Sequence, residues 1–335
     1  MTTNNGAILA IVDPAETNDA VMGRAKEFAK KFDAPIELFS CTYNPYFSGE
    51  RLYESPSSRK AKAHHVVEEK KRLEALAQGH SDEQIKIMTD VYWDVPEYEA
   101  VVRKVLRSKP LMVLRKSEYH SAVDRALMSN DDWNLIRNCP APVVMVRNGE
   151  HRKRSGIIWA CVDPMHDHDK PAALDDEIIR AAKRFATALD SEVHLVHAFD
   201  SAAAVAAVAA GAMAAEMIPS REIGEQVRET HMQRLQELAT KHDISHDRVH
   251  NLPGPARVIL PAVAMEKNPD MIVMGVVARG FLKRLIIGST AERILDKLPG
   301  DLCVVKPGDF KTRVSVDSPH EFHYQETQDD EQGAA

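Results

Sequence analysis

The segment at residues 271–290, MIVMGVVARGFLKRLIIGST, decides the fold, because an apolar strand in it leads through a loop into a helix start. The run at residues 271–274 is typical of a buried parallel strand. Gly275 follows it, Ala278 stands three positions on, and Gly288 comes after nine further residues. Such a loop opens backbone N–H groups toward a helix N-terminus, where the helix dipole favours an anion. The segment therefore predicts an α/β fold with a candidate phosphate site.

The pattern of predicted strands and helices that contains this segment occurs twice in the chain. Four apolar runs of the first half return about 150 to 160 residues later, and the first run and its counterpart are followed by Asp13-Pro14 and Asp163-Pro164. The matched pairs are 8–12 with 157–162, 36–40 with 193–197, 111–114 with 271–274, and 139–147 with 298–306. Short strands that alternate with helices predict two tandem, doubly wound, mostly parallel sheets of five strands each.

The repeat sets the expected domain boundaries. We expect the first domain at residues 1–148 and the second at 155–308, joined by the short basic linker NGEHRKRS. Residues 309–335 contain few apolar residues and end in QETQDDEQGAA, so they predict a disordered acidic tail.

Composition narrows the class of protein. The chain has 335 residues, of which 44% are apolar, which is enough for two cores. Its net charge of −7 argues against specific or non-specific nucleic-acid binding, which favours basic patches. The N-terminus carries no basic region before an apolar run, and no run reaches membrane length, so we expect a cytoplasmic protein that does not enter a membrane. Four cysteines without a CxxC pair indicate reduced, buried thiols.

The duplicated strand endings, the stretch from Gly275 to Thr290 and the closing run LCVVKP at 302–307 resemble tandem universal stress proteins, and most closely the bacterial E-type form. The run DWNLIRNCP at 132–140 supports that likeness, which covers residues 7–308. The resemblance implies a five-stranded, doubly wound sheet in each domain. It also implies a cytoplasmic protein linked to survival under stress, including DNA damage. Many members bind ATP at the strand ends and others do not, and single-domain members dimerise.

The resemblance assigns a candidate nucleotide site to the second domain only. Asp163 would accept a hydrogen bond from adenine or ribose, Ala198 and Met274 would flank the base, and the loop would meet the phosphates. The loop residues are Gly275, Ala278, Gly288, Ser289 and Thr290. Nucleotide-binding members carry a glycine where this chain has Ala278, which would add on the order of 1 kcal/mol of strain if φ there is positive. Ser289 also fits a capping box with Glu292, and Asp163-Pro164 fits an ordinary turn, so both residues have a purely structural alternative.

The first half lacks these features. The matching loop, which begins at Arg115, contains no glycine, and the matching helix start carries Asp131 and Asp132, which would repel a phosphate. We therefore expect no ATP in the first domain. Near the second site, residues 166–169, HDHD, favour a polar helix lead-in over a metal site.

Two apolar lobes follow the second strand of each half. Residues 201–217, SAAAVAAVAAGAMAAEM, predict either a lid for an apolar ligand or a helix packed between halves or chains. Tyr43, Tyr46 and Phe47 take the matching place in the first half. The lobes leave open an apolar ligand, a homodimer or a protein partner.

No set of residues stands out as catalytic. The first hypothesis is a non-enzymatic, small-molecule-binding stress-response protein with at most one site, for a nucleotide or an apolar molecule, in the second domain. The second is a slow ATPase that uses the same site. The third is a ligand-free scaffold for protein interactions.

Overall fold

The computed structural model describes residues 6–13, 17–44, 56–117, 131–147, 154–165, 174–200, 220–276 and 299–318. The chain forms two compact units, the first made of Met1–Lys116 with Thr312–Ala335 and the second of Ser117–Lys311. Among the described residues each sequence repeat supplies five strands. The predicted α/β class with mostly parallel strands is confirmed.

The first unit is a parallel sheet in the order β3-β2-β1-β4. Its elements in chain order are β1 (Ile8–Ile11), α1 (Asp19–Phe32), β2 (Ile36–Thr42), α2 (Pro56–Gly79), β3 (Ile87–Trp93), α3 (Glu97–Ser108) and β4 (Met112–Ser117). The apolar positions of α1 recur at helical spacing, so one face of the helix is buried. Its buried residues are Val21, Met22, Ala25, Phe28 and Ala29.

Charged residues also lie in the core of the first unit. The Arg103 guanidinium of α3 donates to the Asp94 carboxylate at 2.5 Å and to that of Glu99 at 2.5 Å. Asp94 directly follows β3, and its side chain is 0% exposed. A buried carboxylate needs such partners, because an unpaired charge in the interior is strongly destabilising.

The second unit contains six strands in the order β5-β10-β9-β6-β7-β8. Its elements are α4 (Asp131–Asn138), β5 (Val143–Arg147), β6 (Ile157–Cys161), α5 (Leu174–Leu189), β7 (Glu192–Phe199), α6 (Ser220–Lys241), β8 (Val249–Pro253), α7 (Ala256–Lys267), β9 (Met271–Gly275) and β10 (Asp301–Val305). Strands β10, β9, β6, β7 and β8 are parallel, and β5 joins β10 antiparallel. The closing strand of the first repeat therefore completes the second unit.

Lys306 ties α4 to the end of β10. Its Nζ donates to the carbonyl oxygens of Ile136 at 2.6 Å and of Arg137 at 2.8 Å, and it lies 4.8 Å from the ring centre of Phe310. These carbonyls belong to the last turn of α4, where no helical N–H reaches them. Burial of the amine lowers the pKa of Lys306 to about 7.

The segment at residues 312–318 belongs to the first unit. Ser318 Oγ donates to Asp94 Oδ1 at 2.8 Å, and Arg107 Nη2 donates to the Val316 carbonyl at 2.6 Å. The sequence predicted a disordered tail from residue 309, yet residues 309–318 are described and the last of them contact the buried Asp94–Arg103 pair. The predicted domain boundaries, which follow the repeat, stay a prediction.

Candidate functional site

The carboxyl ends of β9, β6 and β7 lie side by side in the second unit. Met274 pairs with Cys161, and Cys161 pairs with Val196. Asp163 and Ala198 each follow their paired residue by two positions, so they lie level with each other at the same edge of the sheet. In open α/β sheets ligands bind at this edge. The structure therefore places Asp163, Ala198 and Met274 on three neighbouring strands at one edge of the sheet, while their role in binding a nucleotide stays a prediction.

Asp163 is the polar side chain at this edge. The side chain is 33% exposed, and its Oδ1 lies 3.8 Å from Nδ1 of His197. Its backbone N–H donates to Asp175 Oδ1 at 3.2 Å, which fixes the turn after β6 to the first turn of α5. The carboxylate is thus held in place by its backbone while part of its surface faces solvent.

His197 lies buried directly beside Asp163, at 3% exposure. Its Nδ1 contacts the Val162 carbonyl oxygen at 3.0 Å, and its Nε2 contacts Nδ1 of His231 at 2.8 Å. The two rings stack with centres 5.1 Å apart, and the His231 ring also contacts Phe199. This link joins β7 to α6 next to the candidate site.

The packing of α5 against the end of β9 can explain why residue 275 is a glycine. A Cβ on Gly275 would lie 2.8 Å from Cγ, Cδ1 and Cδ2 of Leu174, the first residue of α5. Leu174 is itself 1% exposed. The glycine therefore lets α5 approach the end of β9, which explains it without any ligand.

The first turn of α5 carries three carboxylates, Asp175, Asp176 and Glu177. They suit the positive end of the helix dipole and would repel a phosphate. Asp176 is itself paired with Lys241 and His242, and these partners hold its pKa below the usual value although burial opposes them. The start of α5 is therefore not an anion site.

The remaining predicted site residues lie outside the described part of the chain. They are Ala278, Gly288, Ser289 and Thr290, together with the acidic and histidine run at 166–169 and the alanine-rich segment at 201–217. The phosphate half of the predicted nucleotide site stays a prediction for this reason.

The corresponding edge of the first unit is filled by an ion pair. Arg115 pairs with Ile11 as Met274 pairs with Cys161, so it takes the place that Met274 has in the second unit. Its guanidinium donates twice to the Glu97 carboxylate at the start of α3, at 3.0 and 3.1 Å. Asp131 and Asp132 lie in the first turn of α4, as the sequence indicated. The absence of a nucleotide from the edge of the first unit stays a prediction.

Sequence reasoning missed His231 and Glu97. The histidines of β7, His194 and His197, each contact another imidazole, that of His250 and that of His231 respectively. The two partners lie 56 and 34 residues away in the chain. The signal that could have found them is the placement of a histidine on a buried strand, where an imidazole needs a hydrogen-bond partner.

The thiols offer no reactive group. All four cysteines are free, and burial raises the pKa of Cys139 and of Cys161 to about 12. Over the described residues, histidine, cysteine and acidic side chains form no cluster of three that could hold a metal ion. In the same part of the chain, no helix has the length and apolar character that a membrane span requires.

The fold and this edge define a tandem, doubly wound α/β protein with a candidate small-molecule site in its second repeat. The family model of the universal stress protein family matches residues 4–147 and again 169–306. The chain therefore belongs to the universal stress protein family, and it carries that domain twice. The predicted resemblance is confirmed.

Its relatives share the tandem form. The chain is 24% identical over 312 residues to universal stress protein E of Escherichia coli K12, which covers 92% of this chain and 96% of that protein. A functionally unknown protein of Pseudomonas aeruginosa PAO1 has a similar structure, with 22% identity, a TM-score of 0.66, and 91% and 94% of the two chains covered. A universal stress protein from Archaeoglobus fulgidus matches 91% of this chain and 97% of its own at 17% identity and a TM-score of 0.57. These likenesses show the fold.

Proposed function

We propose that the protein is a non-enzymatic, small-molecule-binding stress-response protein with at most one ligand site, at the carboxyl edge of the second unit. The observation that carries the proposal is the convergence of Asp163, Ala198 and Met274 on neighbouring strand ends. Asp163 offers a partly exposed carboxylate oxygen there, which suits a ligand that donates a hydrogen bond, such as a ribose hydroxyl or an adenine amine.

The contrast between the two repeats supports a single site. In the first unit Arg115 stands at the position that Met274 has in the second unit, and its side chain forms an ion pair with Glu97. A nucleotide at that edge would have to break this ion pair. We therefore place ATP, if it is the ligand, in the second unit only.

The ligand class has two candidates, a nucleotide and an apolar molecule. The nucleotide is favoured by the polar group at Asp163, whose partly exposed carboxylate an apolar ligand would have to desolvate. A nucleotide would take its phosphate contacts from residues 277–290, which lie outside the described part of the chain. A binding measurement therefore has to decide between the two ligand classes.

The test is an ATP titration followed by calorimetry on the full chain and on two matched variants. Asp163→Asn is expected to weaken ATP binding about tenfold or more, because a hydrogen bond to a charged group contributes about 1.5 to 3 kcal/mol. Asp13→Asn, which changes the equivalent strand end of the first unit, is the control and should leave binding unchanged. Equal losses in both variants, or a loss in Asp13→Asn alone, would contradict the assignment of the site.

The same samples separate the other functions. Mass spectrometry of the purified protein identifies any retained nucleotide or apolar molecule. Phosphate release that Asp163→Asn abolishes would favour a slow ATPase. No retained molecule and no heat of binding would favour a ligand-free interaction scaffold.

We further propose that the protein supports survival under stress such as DNA damage. Its family membership supports this role. Survival of a deletion strain after DNA damage, with the intact gene or the Asp163→Asn variant returned, tests it. Equal survival of the deletion strain and its parent would contradict the role.

A further inference from the structure

The imidazoles of His197 and His231 are chemically unequal although they share one hydrogen bond. The Val162 carbonyl can only accept, so Nδ1 of His197 must carry the proton that it donates at 3.0 Å. A neutral His197 then has an unprotonated Nε2, which accepts from the Nδ1–H of His231 at 2.8 Å. The neutral pair therefore has one defined arrangement of its protons.

The pair can take up one further proton without breaking this hydrogen bond. The proton enters at Nε2 of His231, which lies on a helix at intermediate exposure, whereas His197 is 3% exposed. The bridging N–H···N bond then has an imidazolium donor, and charge-assisted hydrogen bonds are about twice as strong as neutral ones. A second proton would place two positive rings 5.1 Å apart, which the like-charge repulsion opposes.

The charges around the pair favour this single proton. Asp163, after β6, has its Oδ1 3.8 Å from His197, and Asp175 on α5 bonds the backbone of Asp163. On β8 the register partner of His197 is the neutral Asn251. On α6, Arg228 and Arg234 stand three residues to either side of His231 and oppose the added charge. The Asp163 carboxylate and the directed hydrogen bond between the rings favour the added proton.

We propose that His197 and His231 form a one-proton positioning element for Asp163, which links the protonation state of the second unit to the placement of its ligand-binding carboxylate. When the pair is protonated, its positive charge draws the Asp163 carboxylate toward His197. When the pair is neutral, this attraction is absent, and the carboxylate can accept a hydrogen bond from a ligand at the strand edge. The inference rests on the proposed function only in treating Asp163 as the ligand-binding group, and the coupling itself exists without a ligand.

A second histidine pair in the same unit provides the internal control. His194 and His250 contact each other at 2.8 Å with rings nearly parallel, at 5°. Residues 194 and 197 of one strand point to opposite faces of the sheet, so this pair lies away from Asp163. Burial lowers the pKa of both rings. The next largest cause is the charge of His250 for the pKa of His194, and the charge of Lys267 for the pKa of His250.

The experiment is a pH titration of the full chain with ¹⁵N-labelled histidine, followed by NMR in the absence of ligand. The wild-type pair at 197 and 231 should take up one proton between pH 8 and 5, with Nδ1 of His197 protonated throughout. Asp163→Asn should lower the midpoint of that step by about one pH unit, since an opposite charge at this distance favours the charged form. The titration midpoints of His194 and His250 should be the same in Asp163→Asn as in the wild type.

Two outcomes would overturn the inference. One is an unchanged midpoint in Asp163→Asn, and the other is independent titration of both rings with two protons bound above pH 5. His231→Asn, a change on the helix surface, checks the assignment, because it should leave His197 to titrate alone with a different midpoint. None of these readouts uses a nucleotide, so a failure of ATP to bind would refute the proposed function and leave this result intact.

Discussion

The replacement Gly275→Ala tests whether the glycine at the end of β9 serves packing or a ligand. The added Cβ would lie 2.8 Å from three side-chain carbons of Leu174, closer than carbon atoms pack. Since Leu174 is 1% exposed, either the leucine leaves its rotamer or α5 moves away from the sheet. Overpacking of this kind typically costs about 1 to 3 kcal/mol. We expect the free energy of unfolding of the second unit to fall by that amount.

The assay is urea unfolding followed by the fluorescence of Trp159, which lies buried in β6 of the same unit. A double-mutant cycle with Leu174→Ala isolates the contact. The truncation alone should cost about 2 to 5 kcal/mol because it leaves a cavity. In the double variant the new methyl group has room, so its loss should be smaller than the sum of the two single losses by about 1 kcal/mol or more.

Gly224→Ala is the matched control. This glycine lies in α6 of the same unit, and no atom of the described residues stands within 4 Å of the position that its Cβ would take. The same substitution should therefore stabilise the protein by up to about 1 kcal/mol, because alanine favours the helix. A Gly275→Ala variant as stable as the wild type, but unable to bind ATP, would refute the packing explanation and assign the glycine to the ligand.

Three further predictions concern buried polar contacts. Lys306→Met should cost about 1 to 3 kcal/mol, because two helix-end carbonyls lose their donor. Between pH 7 and 10.5 the lysine is charged in the unfolded chain but neutral in the folded one, because burial lowers its pKa to about 7, so the stability of the wild type should rise with pH over this range. Lys306→Met should remove that rise. Urea midpoints measured against pH report both effects. The lowered pKa values of His194 and His250 should make the protein lose stability as the pH falls below 6.5, and His250→Asn should reduce that loss in the same titrations. A chain ended at residue 311 should be about 1 to 2 kcal/mol less stable in the first unit than one ended at 318, which keeps the Ser318–Asp94 hydrogen bond, and Trp93 fluorescence should detect the difference.

Local patterns account for how much of the fold could be predicted. Apolar runs bounded by Asp-Pro or Gly locate the strands, because burial on both faces requires continuous apolar residues. They also locate the carboxyl edge of β6, where Asp163 lies. The pairing of β5 with β10 could not be predicted in this way, since an antiparallel partner more than 150 residues distant leaves no local signal.

The site was predicted less completely, for a related reason. Asp163, Ala198 and Met274 could be placed at one edge of the sheet because each lies at or near the end of an apolar run. Arg115 was noted only as the start of a loop without glycine, and its ion pair with Glu97 was not predicted. A long side chain selects its partner from whatever the folded chain brings near, and its position in the sequence does not reveal that choice. The same holds for residues 312–318, whose composition suggested disorder, yet whose Ser318 reaches a buried carboxylate.

The two repeats differ most where a strand is linked to the helix that follows it. In the first unit Ser40 Oγ of β2 donates to Oε1 of Glu69 on α2 at 2.9 Å. At the matching strand position the second unit has His197, bonded to His231 on α6. In the first unit the link is a hydroxyl that donates to a carboxylate, whereas in the second it is a pair of imidazoles, the side chains whose ordinary pKa lies within the physiological range. The duplication has therefore produced two units with chemically different strand–helix links, and the imidazole link is the one that lies beside the partly exposed carboxylate of Asp163.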